Sequence, residues 1–321
     1  MTTFTNYLEI AQVGLGLSIL FIYFCFYTMR KLMARVSWRI GPKYVGPAGI
    51  LQVLADIFKL MFKEDIVPDI EPRFMRIVYG VAPFILLGLS LSIVAATPLP
   101  YEALSTLPVD NGLIWILFLV SLDIVVMIAA TWYLSSKYAF LGSYRALAQS
   151  LSYDAVLAMS ILAPGIASGT TSIAQASHGI HGVWYVFLLP LGFVTALIGV
   201  LAELEAIPFD APEAPTEVVG GWSLEYTGPR FLALFLARRM EGFALMVLLS
   251  YLYLGGSSGF SGLPGAFIVM AKAFALAVLV VYIVASYPRY SVKAVLEKAW
   301  RLWVPLAYLN LVLAMAYRLL L

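Results

Sequence analysis

One cysteine, two histidines, three asparagines and four glutamines are all that this 321-residue chain holds of those residue types. A lone Cys25 cannot hold an iron–sulfur cluster, which needs several thiolates, and a haem needs an axial ligand within the bundle. His178 and His181 stand in the glycine-rich stretch Ser177-His178-Gly179-Ile180-His181-Gly182, which reads as a solvated loop. A zinc site there would have to borrow two ligands from elsewhere. No cofactor and no metal of the chain's own is therefore expected. No cluster of acidic residues of the DDxxD kind is present, which removes the metal–diphosphate chemistry of enzymes acting on prenyl substrates. Charge is scarce too, at 12% of residues against 62% hydrophobic, so a water-soluble domain is excluded. The formal net charge is only +2, and no nucleic-acid partner is expected.

What remains is hydrocarbon filler in long runs. Eight apolar stretches, at about 7–29, 74–97, 112–134, 143–163, 183–204, 230–254, 266–287 and 300–321, are long enough to cross about 30 Å of hydrocarbon as helices. The fold class is therefore all-α, a polytopic membrane protein of about eight transmembrane helices in one integral membrane domain covering residues 1–321. The first run starts too late and is too long for a cleaved signal peptide. No internal repeat of fixed period is evident, which argues against an inverted-repeat transporter acting on its own.

Positive charges sort the connections into two sets. Residues 30–73 carry Arg30, Lys31, Arg35, Arg39, Lys43, Lys59, Lys63 and Arg73, and two later connections carry Lys137, Arg145, Arg289, Lys293, Lys298 and Arg301. The alternate connections, about 98–111, 164–182 and 255–265, contain none. Lys and Arg are retained on the cytoplasmic side, so both termini are expected outside a cell membrane. The cytoplasmic loops then fall at about 30–73, 135–142, 205–229 and 288–299. Within the first of these, Ile50, Leu51, Leu54, Ile57, Phe58, Met61 and Phe62 recur at helical spacing with Asp56, Lys59 and Lys63 off that face. This is the pattern of a cytoplasmic amphipathic helix lying on lipid or on a soluble partner.

Residues 201–228 form an acidic block. Glu203, Glu205, Asp210, Glu213, Glu217 and Glu225 follow one another with no Lys or Arg before Arg230. Their charge must be met by another segment, a partner or protons. Glu213 and Glu217 are four apart and would share a helical face. Further ionisable residues fall inside the spans: Asp123 in the third, Asp154 in the fourth if that helix starts near Ser143 and stops before Pro164, Arg238, Arg239 and Glu241 in the sixth, and Lys272 in the seventh. A charge at mid-bilayer costs at least about 2.5–3.5 kcal/mol on insertion scales, so such groups mark a water-bearing path. The alternative reading makes Arg239 and Glu241 structural partners and has Lys272 snorkel outward. The expected proton path comprises Asp123, Asp154, Glu203, Glu205, Asp210, Glu213, Glu217, Glu225, Arg239, Glu241 and Lys272.

Four separated motifs carry a resemblance. They are Arg30-Lys31-Leu32-Met33-Ala34-Arg35 with Arg39-Ile40-Gly41-Pro42-Lys43-Tyr44-Val45-Gly46-Pro47; Ser136-Lys137-Tyr138-Ala139 with Ser152-Tyr153-Asp154; Pro208-Phe209-Asp210 with Pro212-Glu213-Ala214 and Glu225-Tyr226-Thr227-Gly228; and Pro288-Arg289 with Trp300, Pro305 and Asn310. In this order they are similar to the eight-helix membrane subunit of respiratory complex I. The resemblance implies a subunit that joins a redox arm to ion-pumping subunits and walls part of the chamber where the electron acceptor reacts. It also implies iron–sulfur clusters in neighbouring subunits, with an iron–sulfur small subunit, a hydrogenase-like large subunit, antiporter-like membrane subunits and membrane lipid as partners. Arg30, Arg35, Arg39, Lys43, Asp56 and Lys59 are the residues expected to line the chamber or dock the redox arm, the arginines by meeting the acidic loop or a soluble subunit.

Two departures from the family pattern stand out. Quinone-reducing members have Glu-Thr-Asn-Arg-Ala where this chain has Glu203-Leu204-Glu205-Ala206-Ile207, and Leu-Ala-Glu-Tyr where it has Leu236-Ala237-Arg238-Arg239. These changes point toward a ferredoxin-linked relative with a non-quinone acceptor, sulfane sulfur or protons, as in the membrane-bound hydrogenases and sulfane reductases of archaea. A quinone-reducing complex is the alternative, and a stand-alone ion-coupled transporter is the rival from another class. The paucity of Asn, Gln and Cys suits a hot-growing source.

Overall fold

The computed structural model describes residues 2–67, 73–97, 111–131, 136–177, 179, 182–257, 259–260 and 262–320. These residues contain no strand, in keeping with an all-α membrane protein. His178 and His181 lie outside the described residues.

Helix α1 spans Thr2–Val36. At 1.5 Å per residue its 35 residues measure about 52 Å, well beyond the hydrocarbon thickness, so the turns bearing Arg30 and Arg35 project past the membrane core. The chain reverses at Gly41 and Gly46, both at φ +73°, a conformation that glycine adopts without steric cost. A 3₁₀ turn at Pro47–Gly49 leads into α2, Gln52–Met61. Only Val53 of α2 is buried, and Leu54, Phe58, Met61 and the following Phe62 stand exposed. The expected amphipathic helix is thus present with its apolar face uncovered by the chain itself.

Helices α3 (Arg73–Ala96) and α4 (Gly112–Thr131) follow. Helix α5 covers Lys137–Ser168, capped by the Ser136 hydroxyl at Ala139 and closed by Gly169 at φ +78°. It differs from expectation at both ends, because the supposed loop 135–142 is helical from Lys137 and Pro164 does not stop the helix. Proline removes the amide that would bond the carbonyl four residues back. That carbonyl, Ser160 O, accepts instead from the Tyr253 hydroxyl at 2.6 Å, so the break is repaired from another helix.

Short turns α6 (Ile173–Ala176) and α7 (Tyr185–Leu188) precede α8 (Pro190–Glu203). The fifth span, expected to be continuous over 183–204, is broken at Leu189, whose φ −126° and ψ 58° are not helical; a residue before proline is turned away from the helical region. After the one-turn α9 (Pro215–Val218) comes α10 (Gly228–Leu252), then α11 (Gly262–Ser286), α12 (Val292–Lys298), a π turn at Ala299–Trp303 and α13 (Val304–Leu320). The loop expected over 288–299 is therefore helical from Val292.

Among the described residues five helical stretches, 76–96, 112–131, 137–168, 264–286 and 292–320, are long and apolar enough to cross a membrane. Helix α10 matches several of them in length but carries Arg230, Arg238, Arg239 and Glu241. Seventeen of its 25 residues are buried, so this is a central helix. It packs against α1, α3, α8 and α11.

The acidic connection between α8 and α10 is a folded element. Its 3₁₀ turn Gly221–Glu225 lies against the first turns of α5, where a Cβ on Gly142 would stand 2.6 Å from Gly221 Cα and 2.8 Å from the Trp222 nitrogen. Tyr226 stacks on Tyr79 at 4.6 Å, and the Tyr79 hydroxyl donates to Glu225 O at 2.6 Å. Gly142→Ala is expected to displace this loop. Limited proteolysis of the assembled complex should then cut within residues 211–227 at least about tenfold faster, as an overpacking cost of about 1–3 kcal/mol allows; unchanged cleavage would contradict the contact.

Candidate functional site

Arg238 is the centre of the site. Its guanidinium reaches Asp123 at 3.4 Å, Glu205 at 3.3 Å and Glu241 at 3.4 Å, and it donates to Glu203 O at 3.3 Å. It also lies 5.5 Å from the Trp222 ring centroid, and Trp222 Nε1 donates to Glu205 at 3.1 Å. Four elements contribute: α4 brings Asp123, the end of α8 brings Glu203 and Glu205, α10 brings Arg238 and Glu241, and the acidic loop brings Trp222. Asp123, Glu203 and Glu241 are buried. One cation cannot neutralise four acids, so protons or water must complete the balance.

The acid line continues beyond the arginine. Glu203 is within electrostatic range of Asp123, Glu241 and Asp154. Asp154 Oδ1 and Glu241 Oε1 are buried with no hydrogen-bond partner among the described residues, the condition of an oxygen served by a proton or by water. Asp154, Glu203, Glu241, Asp123 and Glu205 thus form one contiguous set running from the middle of α5 to the acidic loop.

At the loop end this set opens on a cavity of about 860 Å³ between α1, α10, α11 and the acidic loop. Its wall is largely apolar, with Ile22, Phe26, Met29, Phe235, Val280 and Val284 among its residues, while Glu205, Asp210, Glu213, Arg30, Arg39, Arg238 and Arg239 supply charge. The three loop acids all have raised pKa values. Burial pushes Glu205 up to about 7, against the opposing pull of Arg238. Burial likewise raises Asp210 against Arg289 and Glu213 against Arg238. Glu205 therefore keeps in the folded protein a proton that the unfolded chain releases near its ordinary 4.5. The stability it contributes is lost as pH rises from about 4.5 to about 7 and changes no further above that.

The structure brings together most of the sequence-expected path and separates the rest. Asp123, Asp154, Glu203, Glu205 and Glu241 are joined, with Asp210 and Glu213 on the cavity wall. Glu213 and Glu217 do not share a face, because α9 starts only at Pro215 and Glu217 turns outward to an ion pair with Arg145. Glu225 offers its backbone carbonyl to Tyr79. Lys272 is held at the C-terminal end of α10, donating to Leu254 O and Gly256 O at 2.7 Å each, 4.5 Å from the Trp184 centroid. Glu241 pairs with Arg238 and not with Arg239, since residues three apart share a helical face and residues two apart do not. That spacing was the available signal for Arg238, which the path expected from sequence omitted.

The basic residues also pair differently from expectation. Arg30 binds Asp56 on α2, which also accepts from Gln52 at 2.9 Å. The acidic loop is met by Arg145 at Glu217, by Arg289 at Asp210 at 3.1 Å, and by Arg238 at Glu205. Arg35, Arg39, Lys43 and Lys59 are exposed, as are Trp38, at 99%, and Tyr44, at 91%. The two departures from the family pattern meet at one contact: the extra acid Glu205 and the replacing cation Arg238 are an ion pair.

Comparison with known proteins gives the family. Residues 8–315 match the family model for NADH dehydrogenase. The chain is 35% identical over 309 residues to an NADH-quinone oxidoreductase subunit of Geobacillus kaustophilus, a match covering 94% of this chain and 92% of that protein. It is 33% identical over 317 residues to the corresponding protein of Anoxybacillus flavithermus, covering 96% and 94%. To that of Helicobacter pylori strain 26695 it is 34% identical over 303 residues, covering 90% and 91%. An all-helical membrane fold with a carboxylate line ending at a cavity, matched along nearly its whole length, places this chain in the NADH dehydrogenase family, among the membrane subunits of complex I and its relatives.

Proposed function

We propose that the cavity between α1, α10, α11 and the acidic loop receives the electron acceptor of a complex I-type oxidoreductase, and that the carboxylate line carries protons coupled to its reduction. The observation that carries this reading is continuity. Glu205 belongs both to the cavity wall and to the ion cluster that leads through Asp123, Glu241 and Glu203 to Asp154. Electrons arrive from iron–sulfur clusters in neighbouring subunits, an iron–sulfur small subunit and a hydrogenase-like large subunit. Charge changes pass inward to antiporter-like membrane subunits. The exposed face of α2 and the exposed Trp38, Tyr44, Arg35, Arg39, Lys43 and Lys59 suit the docking of that arm. The basic loops then face the cytoplasm, and both termini face outward.

A quinone fits the chamber best. Such an acceptor needs an apolar corridor for its tail and a polar end for its head, and it takes up two protons with two electrons on becoming a quinol. The cavity offers both features, and the Glu205–Arg238 pair offsets the two departures that favoured another acceptor. A second reading, a ferredoxin-linked complex of archaeal type reducing sulfane sulfur, is favoured by Arg239. It stands where quinone-reducing members have Tyr and adds a cation to the cavity wall.

The test is proton coupling in the purified complex in liposomes. Ion movement per electron should lose an inflection near pH 7, where Glu205 exchanges its proton, when Glu205 is replaced by Gln. An inflection that persists in Glu205→Gln would remove this residue from the path, and ion movement by the isolated chain without a redox arm would favour a transporter instead.

A further inference from the structure

We propose that Gln149 seats an ordered water that relays protons to Glu203 from the cytoplasmic end of α5, an entry separate from the cavity. The inference rests on reading the carboxylate line as a proton path. Gln149 lies in the first half of α5 and is 3% exposed. Its side-chain nitrogen donates to Ala202 O at 2.7 Å, in the last turn of α8. A backbone carbonyl only accepts, so this bond fixes which end of the amide faces Ala202. The other end, Oε1, is buried and accepts no hydrogen bond among the described residues.

A buried acceptor of this kind is costly unless it is served by a donor. The backbone donors at the end of α8 are already committed: Leu204 N to Val200 O, Glu205 N to Ala202 O and Ala206 N to Leu201 O. Water is the smallest donor that completes Oε1, and Glu203, the next residue after Ala202, is the acid at this level. Arg145, Gln149 and Ser152 are spaced four and three apart and so share one face of α5. That face begins at solvent, since Arg145 pairs with Glu217, whose side chain is 45% exposed. Gln149 stands about 6 Å further along the axis at 1.5 Å per residue, and Ser152 Oγ accepts from Trp300 Nε1 at 3.2 Å. None of Arg145, Gln149, Glu203 and Glu217 lines the cavity. The line is thus served from two ends: Glu205 exchanges protons with the cavity, and Glu203 is reloaded from solvent. When Glu203 gives its proton toward Asp154, the water passes one to the carboxylate while taking another from the Arg145 side, and is left unchanged.

The experiment uses the intact complex as wild type, Gln149→Met and Gln149→Glu. Methionine keeps the length of the side chain without its polar atoms, and glutamate keeps an acceptor oxygen. A cryo-electron microscopy map fine enough to show ordered water should place one within hydrogen-bond distance of Gln149 Oε1 in the wild type and lose it in Gln149→Met. A wild-type map with no water there, or with Oε1 bonded directly to the Glu203 carboxyl, overturns the proposal even where a variant fails to assemble. In liposomes, Gln149→Met is expected to lower ion movement per electron about tenfold, less than the hundredfold or more of a group that itself carries the proton. Gln149→Glu should restore most of it. Equal loss in the two variants would mark a packing role alone and overturn the relay, as would equal coupling in all three proteins. Asp154→Asn in the same assay separates the two failures: if it abolishes coupling, the line stands without this entry, and if it couples normally, the line falls and the entry with it.

Discussion

Asp154→Asn is expected to lower redox-linked ion movement about a hundredfold, the low end of what a positioned acid–base group contributes, in a complex that still assembles. Asp154 sits well inside α5, within electrostatic range of Glu203. Asparagine matches its shape, so packing survives. It cannot take up and release a proton, so the line from Glu205 is cut at its inner end. Ion accumulation in liposomes, divided by the rate of acceptor reduction, measures the effect. Assembly is read from native gels. Normal coupling in Asp154→Asn would remove the carboxylate line from the mechanism, whatever the cavity binds.

The second large effect belongs to Arg238→Gln. Removing this cation leaves Asp123, Glu205 and Glu241 facing one another without a counter-ion. Stranding one member of a buried pair costs about 3–5 kcal/mol, and Arg238 is mostly sheltered, with its side chain 20% exposed. A marked fall in the thermal unfolding midpoint of the complex follows. Adding Glu205→Gln to Arg238→Gln should recover part of the loss, because it deletes one of the stranded acids and leaves Trp222 a partner amide. Residues in one ion network couple by about 0.5–3 kcal/mol. Strict additivity of the two substitutions would show that the Glu205–Arg238 contact contributes nothing, and the departures of this chain from the family pattern would regain their force as a sign of a different acceptor.

The ion cluster also shows where residue patterns mislead. Glu213 and Glu217 satisfy the i,i+4 rule, yet Pro215 opens α9 between them and sends one to the cavity and the other to Arg145. Pro164 has the mark of a helix end, yet Tyr253, some ninety residues away in sequence, supplies the donor that lets α5 run through it. Lys272 has the mark of a buried functional charge, yet it closes the carbonyls at the end of α10. In each case the deciding partner comes from a distant segment, so no local window contains it.

The sequence alone determined the class of the protein, the eight apolar stretches, the amphipathic helix and the acidic block, because hydrophobic length and helical periodicity are local properties that the bilayer reads directly. The identity of the buried carboxylates was legible for the same reason, since a charge in hydrocarbon stands out against its neighbours. Only the tertiary structure decided that Arg238 gathers acids from α4, α10 and the turn after α8, that Arg239 faces the cavity, and that Arg30 turns to Asp56. Pairing of charges depends on which helices pack together and on their rotation about their axes, and that is settled by side-chain packing across the whole bundle, not by spacing along any one segment.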